Sequence, residues 1–146
     1  MKWRGAVLAM TMLVVAAGTY RMSAQAASQA PKQPPAKAAV RSTLDGVYTP
    51  TQAQRGEDMY YGTCVNCHPP GTYAGAGFKK NWNNRPLSDL YDWVLNKMPK
   101  SAPGTLSPAE STQVIAYILR ENKMPPGKAA LPADASVLGG IRIQLK

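Results

Sequence analysis

Histidine and cysteine are scarce in this 146-residue chain, which holds one histidine and two cysteines. A structural zinc site takes four protein ligands, most often cysteine and histidine. The sequence offers no third cysteine and no second histidine to complete such a set. The single histidine also excludes any metal site in which this chain supplies two imidazoles.

Acidic residues are few as well, with 8 against 17 lysines and arginines, and the formal net charge is +9. A domain that binds nucleic acid concentrates its positive charge on the folded part. Here residues 1–48 hold six basic residues and one acidic residue, whereas residues 49–128 hold nine and six. Since most of the excess lies outside the expected folded part, the sequence disfavours a nucleic-acid partner.

The apolar run near the N-terminus, Gly5 to Gly18, is shorter than the roughly 20 residues that a membrane-spanning helix needs. It follows Lys2 and Arg4, and a small-x-small sequence comes after it at residues 24–26. This order is typical of a secretory signal. We therefore predict a signal peptide over residues 1–26 and export to the periplasm. An uncleaved N-terminal anchor is the alternative, and it would tether the same domain outside the cytoplasm.

Composition shifts predict the domain limits. Residues 27–48 are rich in alanine, proline and lysine, which indicates a linker that cannot bury enough apolar surface to fold alone. Folded sequence is expected over residues 49–130. Residues 131–146 are expected to form an irregular tail, whose end, GGIRIQLK, alternates like a strand without a partner.

Two capping patterns mark helix starts in the expected domain. Thr49, followed by proline and with Gln52 three residues on, predicts a capping box and a helix that runs to about Thr63. Ser107, followed by proline and with Glu110 three residues on, repeats the pattern before an apolar stripe.

A further helix is predicted between these two. Apolar residues recur at i, i+3, i+4, i+7 and i+8 from Leu87 onwards, and Pro99 ends the pattern. The intervening segments PPGTYAGAGF and PKSAPGT are rich in glycine and proline and are expected to be loops. The chain is therefore predicted to be all-α, with three main helices.

Both cysteines and the histidine lie in the pentapeptide Cys-Val-Asn-Cys-His at residues 64–68. A disulfide across so short a loop would constrain the unfolded chain little. A thioredoxin-type dithiol needs its cysteines at a helix start that follows a strand, whereas this pair follows a helix in a domain without a sheet.

Cys-x-x-Cys-His in an exported chain is the attachment signal of haem c. Cys64 and Cys67 would form the two thioethers, and His68 would bind the iron. A large apolar cofactor also meets the need of so small a domain for a core. We predict one covalently bound haem c, and the remaining alternatives are a redox dithiol and an accidental match to the pattern.

The chain resembles the class I cytochrome c family in three segments, QRGEDMYYGTCVNCH, MPKSAPGTLS and VIAYILRENKMPPGKAAL. The resemblance covers about residues 47–132. More narrowly, the sequence is similar to single-haem domains found with periplasmic quinoprotein (PQQ-type) dehydrogenases and sulfur-compound-oxidising enzymes. The resemblance implies the cytochrome c fold around one haem, with the first helix crossing the last near Gly56, Tyr60 and Tyr117, and an electron-carrying role.

The chain departs from this family immediately after His68. Pro69 and Pro70 stand where the family usually has a glycine. The resemblance therefore leaves open which group accepts a hydrogen bond from the His68 ring.

The tetrapeptide NKMP occurs twice, so two methionines share one local setting. Met98 lies 30 residues after His68, at the start of a loop that can cross the open face of a haem. We predict His68 and Met98 as the axial iron ligands. Met124 follows the last helix, where the resembled family has an apolar packing residue, and Met59 is expected in the core. Ligation by Met124 and an open iron site are the alternatives.

These features predict an electron carrier with a His/Met-ligated haem, working in a respiratory or dehydrogenase-linked chain and performing no substrate chemistry of its own. The alternative is a haem c electron-accepting subunit of a periplasmic oxidoreductase complex. A haem enzyme or gas sensor would need an open iron site.

The expected partner is a redox protein such as a periplasmic dehydrogenase or a terminal oxidase, and a membrane tether is expected only if the signal segment is retained. Trp82 and Trp93 are expected to be walls of the haem pocket or core residues rather than electron relays. The same packing role is expected of Tyr60, Tyr61 and Tyr73.

Overall fold

The computed structural model describes residues 40–145. The predicted signal peptide, 1–26, and the linker residues 27–39 lie outside the described residues. Among residues 40–145, no helix is both long enough and apolar enough to cross a membrane.

Five α-helices and two short strands make up the described part. In chain order they are β1 (Arg41–Ser42), a 3-10 turn (Thr43–Asp45), α1 (Pro50–Met59), a π-helical turn (Tyr60–Cys64), α2 (Gly75–Trp82), α3 (Leu87–Lys97), α4 (Pro108–Glu121), α5 (Ala135–Gly139) and β2 (Ile141–Arg142). Helices α1, α3 and α4 correspond to the three that the sequence predicts. The all-α prediction is confirmed.

Both predicted N-caps are present, but one of the two capping boxes is not. Ser107 Oγ accepts from the Glu110 amide, and Glu110 Oε2 accepts from the Ser107 amide at 2.7 Å, so α4 has the full box. Thr49 Oγ1 caps α1 by accepting from the Gln52 amide. The Gln52 side chain does not reach back to the cap, because it bonds both backbone groups of Leu131 instead.

Helices α1 and α4 cross at Gly56. A Cβ atom at this position would overlap the carbonyl oxygen of Gln113, so glycine lets the two backbones touch. Next to the crossing, the rings of Tyr60 and Tyr117 lie 4.8 Å apart. The expected crossing near these three residues is confirmed.

The segment PPGTYAGAGF, expected to be a loop, contains the start of α2. Phe78 anchors α2 by packing in the core, where its exposed fraction is 2%. The Gly75 amide at its first turn donates to Asn122 Oδ1, at the end of α4. Tertiary contacts thus stabilise a helix that the local sequence, rich in glycine, disfavours.

The expected linker and tail pair with each other. β1 and β2 run parallel, with Arg41 opposite Ile141 and Ser42 opposite Arg142. The predicted strand in GGIRIQLK therefore has a partner, contrary to expectation, because the partner comes from the segment that was expected to be linker. Residues of both segments reach the core: Thr43, Val47, Tyr48, Leu131, Leu138, Ile141 and Ile143 are all at most 3% exposed.

Candidate haem site

A cavity of about 330 Å³ opens between the π-helical turn that follows α1 and the helices α3 and α4. The four residues predicted from the sequence, Cys64, Cys67, His68 and Met98, all line it. Its apolar walls come from α2, α3 and α4: Trp82, Leu90, Trp93, Val94, Val114 and Ile118. Both tryptophans line this pocket, which is one of the two positions expected for them.

Both cysteines and His68 lie on one side of a continuous helical turn. The amides of Cys67 and His68 donate to the Cys64 carbonyl at 3.2 and 2.9 Å. Residues three and four positions apart on such a turn face the same way. The turn therefore directs two thiols and one imidazole towards the same cavity.

The two thiols are unpaired, and Cys67 is exposed whereas Cys64 is partly buried. Burial raises the pKa of the Cys64 thiol. A reactive redox dithiol needs the opposite, a thiol whose pKa is lowered by a helix N-terminus or a nearby cation. The environment of Cys64 therefore disfavours the dithiol alternative.

Two tyrosines contact His68. The Tyr60 hydroxyl donates to the His68 carbonyl at 2.8 Å, and the Tyr73 hydroxyl lies 3.2 Å from the ring Nδ1. Burial is the main cause that raises the pKa of Tyr60 to about 12, so its hydroxyl keeps the proton it donates. Only a packing role is expected for both tyrosines from the sequence, because no local pattern indicates these contacts.

The two NKMP methionines have different surroundings. Met98 follows α3 directly and is partly buried at the cavity, beside Pro99. Met124 is 2% exposed in the core, and its carbonyl accepts from the Tyr48 hydroxyl at 2.7 Å. Met59 packs partly buried against the core. Of these three methionines, the cavity lining includes Met98.

A zinc site finds no support in the described part of the chain. Within residues 40–145, no group of three or more histidine, cysteine, aspartate or glutamate side chains is placed to hold a metal ion.

The donor set and the walls of the cavity fit a covalently attached haem. Two free thiols sit one helical turn apart beside an imidazole, a thioether lies in the same lining, and the remaining walls are largely apolar. Cys64 and Cys67 are the residues that would hold the ring, and His68 and Met98 those that would hold its iron.

One comparison with known proteins gave a match. The model of the family described as cytochrome c oxidase, cbb3-type, subunit III matches residues 51–118, slightly less than half of the chain. The matched stretch runs from α1 through the pentapeptide at 64–68 and Met98 into α4. No curated protein and no solved structure matched significantly. The all-α cytochrome c fold is thus confirmed, and the match implies covalently bound haem c.

Proposed function

We propose that this chain is an exported c-type cytochrome that carries single electrons through a haem ligated by His68 and Met98, in a respiratory or dehydrogenase-linked chain. The observation that supports it best is the convergence of Cys64, Cys67, His68 and Met98 on one apolar cavity. Haem bound there supplies a one-electron iron couple.

Each residue of the cavity has a distinct part in this proposal. Cys64 and Cys67 fix the cofactor to the chain, so that it stays bound in both oxidation states. His68 supplies a nitrogen ligand, and Met98 supplies a soft thioether that raises the reduction potential. Leu90, Val94 and their neighbours keep water away, which favours the less charged ferrous form.

Export and partner choice are part of the proposal. The order of basic, apolar and small residues over 1–26 supports export to the periplasm. The proposed partner is a redox protein such as a periplasmic dehydrogenase or a terminal oxidase. The exposed Trp93 lines the cavity, and the exposed Lys97 lies one helical turn further along α3. Small, weak electron-transfer encounters use such mixed surfaces.

A second candidate function is an electron-accepting subunit of a periplasmic oxidoreductase complex, for instance a quinoprotein or sulfur-compound dehydrogenase. The matched family is itself described as a subunit of a larger enzyme, which favours this candidate. Purification of the exported protein under mild conditions separates the two functions. A free carrier elutes alone, whereas a subunit elutes with a large partner.

The first test is retention of haem after denaturation. Because two thioethers would hold the ring, haem should stay with the polypeptide on a denaturing gel and through acid–acetone extraction. A Cys64→Ala or Cys67→Ala variant should lose most of the stable holoprotein, since the domain then lacks its normally attached apolar cofactor. Haem that is released from the wild-type chain by denaturation would rule out covalent attachment.

The second test compares the two methionines in matched variants. Met98→Ala should abolish the sulfur-to-iron charge-transfer band of the ferric protein, lower its midpoint potential and allow rapid carbon monoxide binding to the ferrous form. Met124→Ala should leave all three unchanged and should cost about 2–5 kcal/mol of stability, because this side chain is buried. The opposite pattern would move the iron ligand to Met124, and rapid carbon monoxide binding by the wild type would contradict the simple carrier.

A further inference from the structure

The cavity reaches solvent at a mouth that five of its lining residues define. Most of the lining residues are buried or half-buried, but five of them are exposed: Thr63, Cys67, Trp93, Lys100 and Ser101. We call these five residues the mouth. A cofactor bound in the cavity lies nearest to solvent there, so a redox partner that contacts the mouth leaves the shortest path for an electron.

Trp93 is the large apolar side chain of the mouth. It is 48% exposed, whereas four other apolar residues of the lining are at most 6% exposed: Leu90, Val94, Val114 and Ile118. Lining the cavity therefore does not by itself expose a side chain, and part of the Trp93 indole faces outward. Tryptophan is enriched among the few residues that carry most of the binding energy of protein interfaces.

The side of the mouth that holds the cysteines is free of charged residues. Between Asp58 and Lys79 the sequence has no lysine, arginine, aspartate or glutamate. This stretch supplies Thr63 and Cys67 to the mouth, and it also carries Tyr61, which is 50% exposed. An acidic partner surface would find no lysine or arginine in this stretch with which to pair.

The other side of the mouth has charges that balance. Residues 87–101, which supply Trp93, hold two acidic and two basic residues: Asp89, Asp92, Lys97 and Lys100. Of these four, Lys100 belongs to the mouth. Charges of opposite sign on one short segment offset each other's field, so this segment steers a charged partner only weakly. The mouth thus offers an aromatic anchor in surroundings of low net charge.

Charge complementarity sets which partners an interface favours, and apolar contact supplies affinity where such complementarity is weak. We propose that the redox partner docks on the mouth with Trp93 as its central contact, and that this partner presents an apolar patch of low net charge rather than an acidic one. The inference rests on the proposed function, because a bound haem is the reason for a redox partner to contact the mouth.

Electron self-exchange between ferrous and ferric copies of the holoprotein tests this docking surface. Each copy presents the same mouth, so the protein itself serves as a partner with an apolar patch of low net charge. The two copies of one variant have equal potentials, so a substitution cannot slow the reaction by changing the driving force. NMR line broadening in mixtures of the two oxidation states measures the rate.

Trp93→Ala should slow self-exchange by about tenfold or more at both low and high salt, because the aromatic anchor is lost. Trp93→Phe should keep most of the wild-type rate, since it replaces one apolar ring with another. Lys97→Gln and Lys100→Gln should each change the rate by less than about threefold. A lysine variant with a larger effect than Trp93→Ala would overturn the proposal. An unchanged rate in Trp93→Ala, or an equal loss in both Trp93 variants, would overturn it too.

A second pair of variants leaves Trp93 in place. Thr63→Lys adds a positive charge to the mouth, so two such mouths repel each other, and self-exchange should slow at low salt and recover as the salt concentration rises. Thr51→Lys is the matched control with the same net charge. Thr51 is exposed, does not line the cavity and lies about 18 Å from Thr63 along the helix. Equal rates in these two variants would overturn the proposal, whereas a wild-type chain without covalent haem would overturn the proposed function instead.

Discussion

Gly56 lies where α1 packs directly against the backbone of α4. A side chain at this position would overlap the backbone of Gln113 and would also crowd Tyr117 Cβ. A backbone carbonyl in a helix cannot move aside without breaking its own helical bond. The close approach therefore depends on the absence of a side chain at Gly56.

Gly56→Ala should destabilise the protein by about 1–3 kcal/mol or more, because one added methyl group forces the two helices apart. Gly77→Ala in α2 is the control. A Cβ at Gly77 meets nothing within 4 Å, so this variant should be about 0.5–1 kcal/mol more stable than the wild type. Urea unfolding of both variants measures the difference, and equal stabilities would contradict the close helix contact.

At the residue scale, the sequence predicts four residues that line the cavity but not the contacts that hold them in place. Cys64, Cys67 and His68 lie within one helical turn, so local spacing is enough to bring them together. The contact between Asn122 and Tyr73 joins positions 49 residues apart. No periodicity or motif encodes such a pairing, because it depends on how α4 packs beside the segment after His68.

At the scale of elements, the start of α4 is defined by a reciprocal pair of hydrogen bonds. Ser107 and Glu110 each bond the other's backbone amide. The bond from the Ser107 amide is the main cause that lowers the pKa of the Glu110 carboxyl. The start of α4 should therefore be weakened both by a mutation that removes either side chain and by protonation of the Glu110 carboxylate in acid.

Ser107→Ala should destabilise the protein by about 0.5–2 kcal/mol at neutral pH, since it leaves the amide of Glu110 without its side-chain acceptor. The haem spectrum should stay unchanged, because the cap is not part of the cavity lining. Thermal unfolding followed by circular dichroism measures the loss. An unaltered unfolding temperature would show that the cap contributes nothing.

The same box predicts a pH dependence. The pKa of the Glu110 carboxyl is lower in the folded state than its usual value of 4.5. The contribution of this carboxylate to the stability of the fold is therefore fully present above pH 4.5, and it is lost as the pH falls through the lowered pKa of the folded state. Glu110→Gln should remove this part of the acid destabilisation. Unfolding curves of the wild type and the variant, compared across the acid range, should converge at low pH, and parallel curves would contradict the assignment.

Helix α2 shows why elements with weak local signals escape sequence analysis. Its residues include two glycines in the first three positions, Gly75 and Gly77, and no side chain of its own caps it. The cap comes from Asn122 and the anchor is Phe78, which packs in the core. The helices α1, α3 and α4 carry caps or apolar stripes within their own sequence, which is why they could be predicted.

At the scale of the whole molecule, the segments outside the family match complete the core. Leu138, Ile141 and Ile143 are each at most 1% exposed, and all lie beyond residue 118. Helix α5 packs on α3, and three residues of α3 line the cavity: Leu90, Trp93 and Val94. The tail therefore supports the helix that forms one wall of the site.

Ile143→Ala should destabilise the protein by about 2–5 kcal/mol, because it leaves a cavity in a fully buried position. Val137→Ala is the control, since Val137 is 48% exposed and its truncation should change stability by less than about 0.5 kcal/mol. Urea unfolding measures both. If Ile143→Ala had no larger effect than its control, the tail would not be part of the core in solution.

The parallel pairing of β1 with β2 also has a consequence for the order of folding. Ser42 Oγ donates to the Gln144 side chain across 102 positions of the sequence, and Thr43 bonds the Gln144 backbone across 101. Contacts this distant carry a large loop-closure entropy and slow the search for the native state. Helices α1, α3 and α4 can form from local contacts long before the two ends meet. The two strands should therefore pair last, after the helices that surround the cavity have formed.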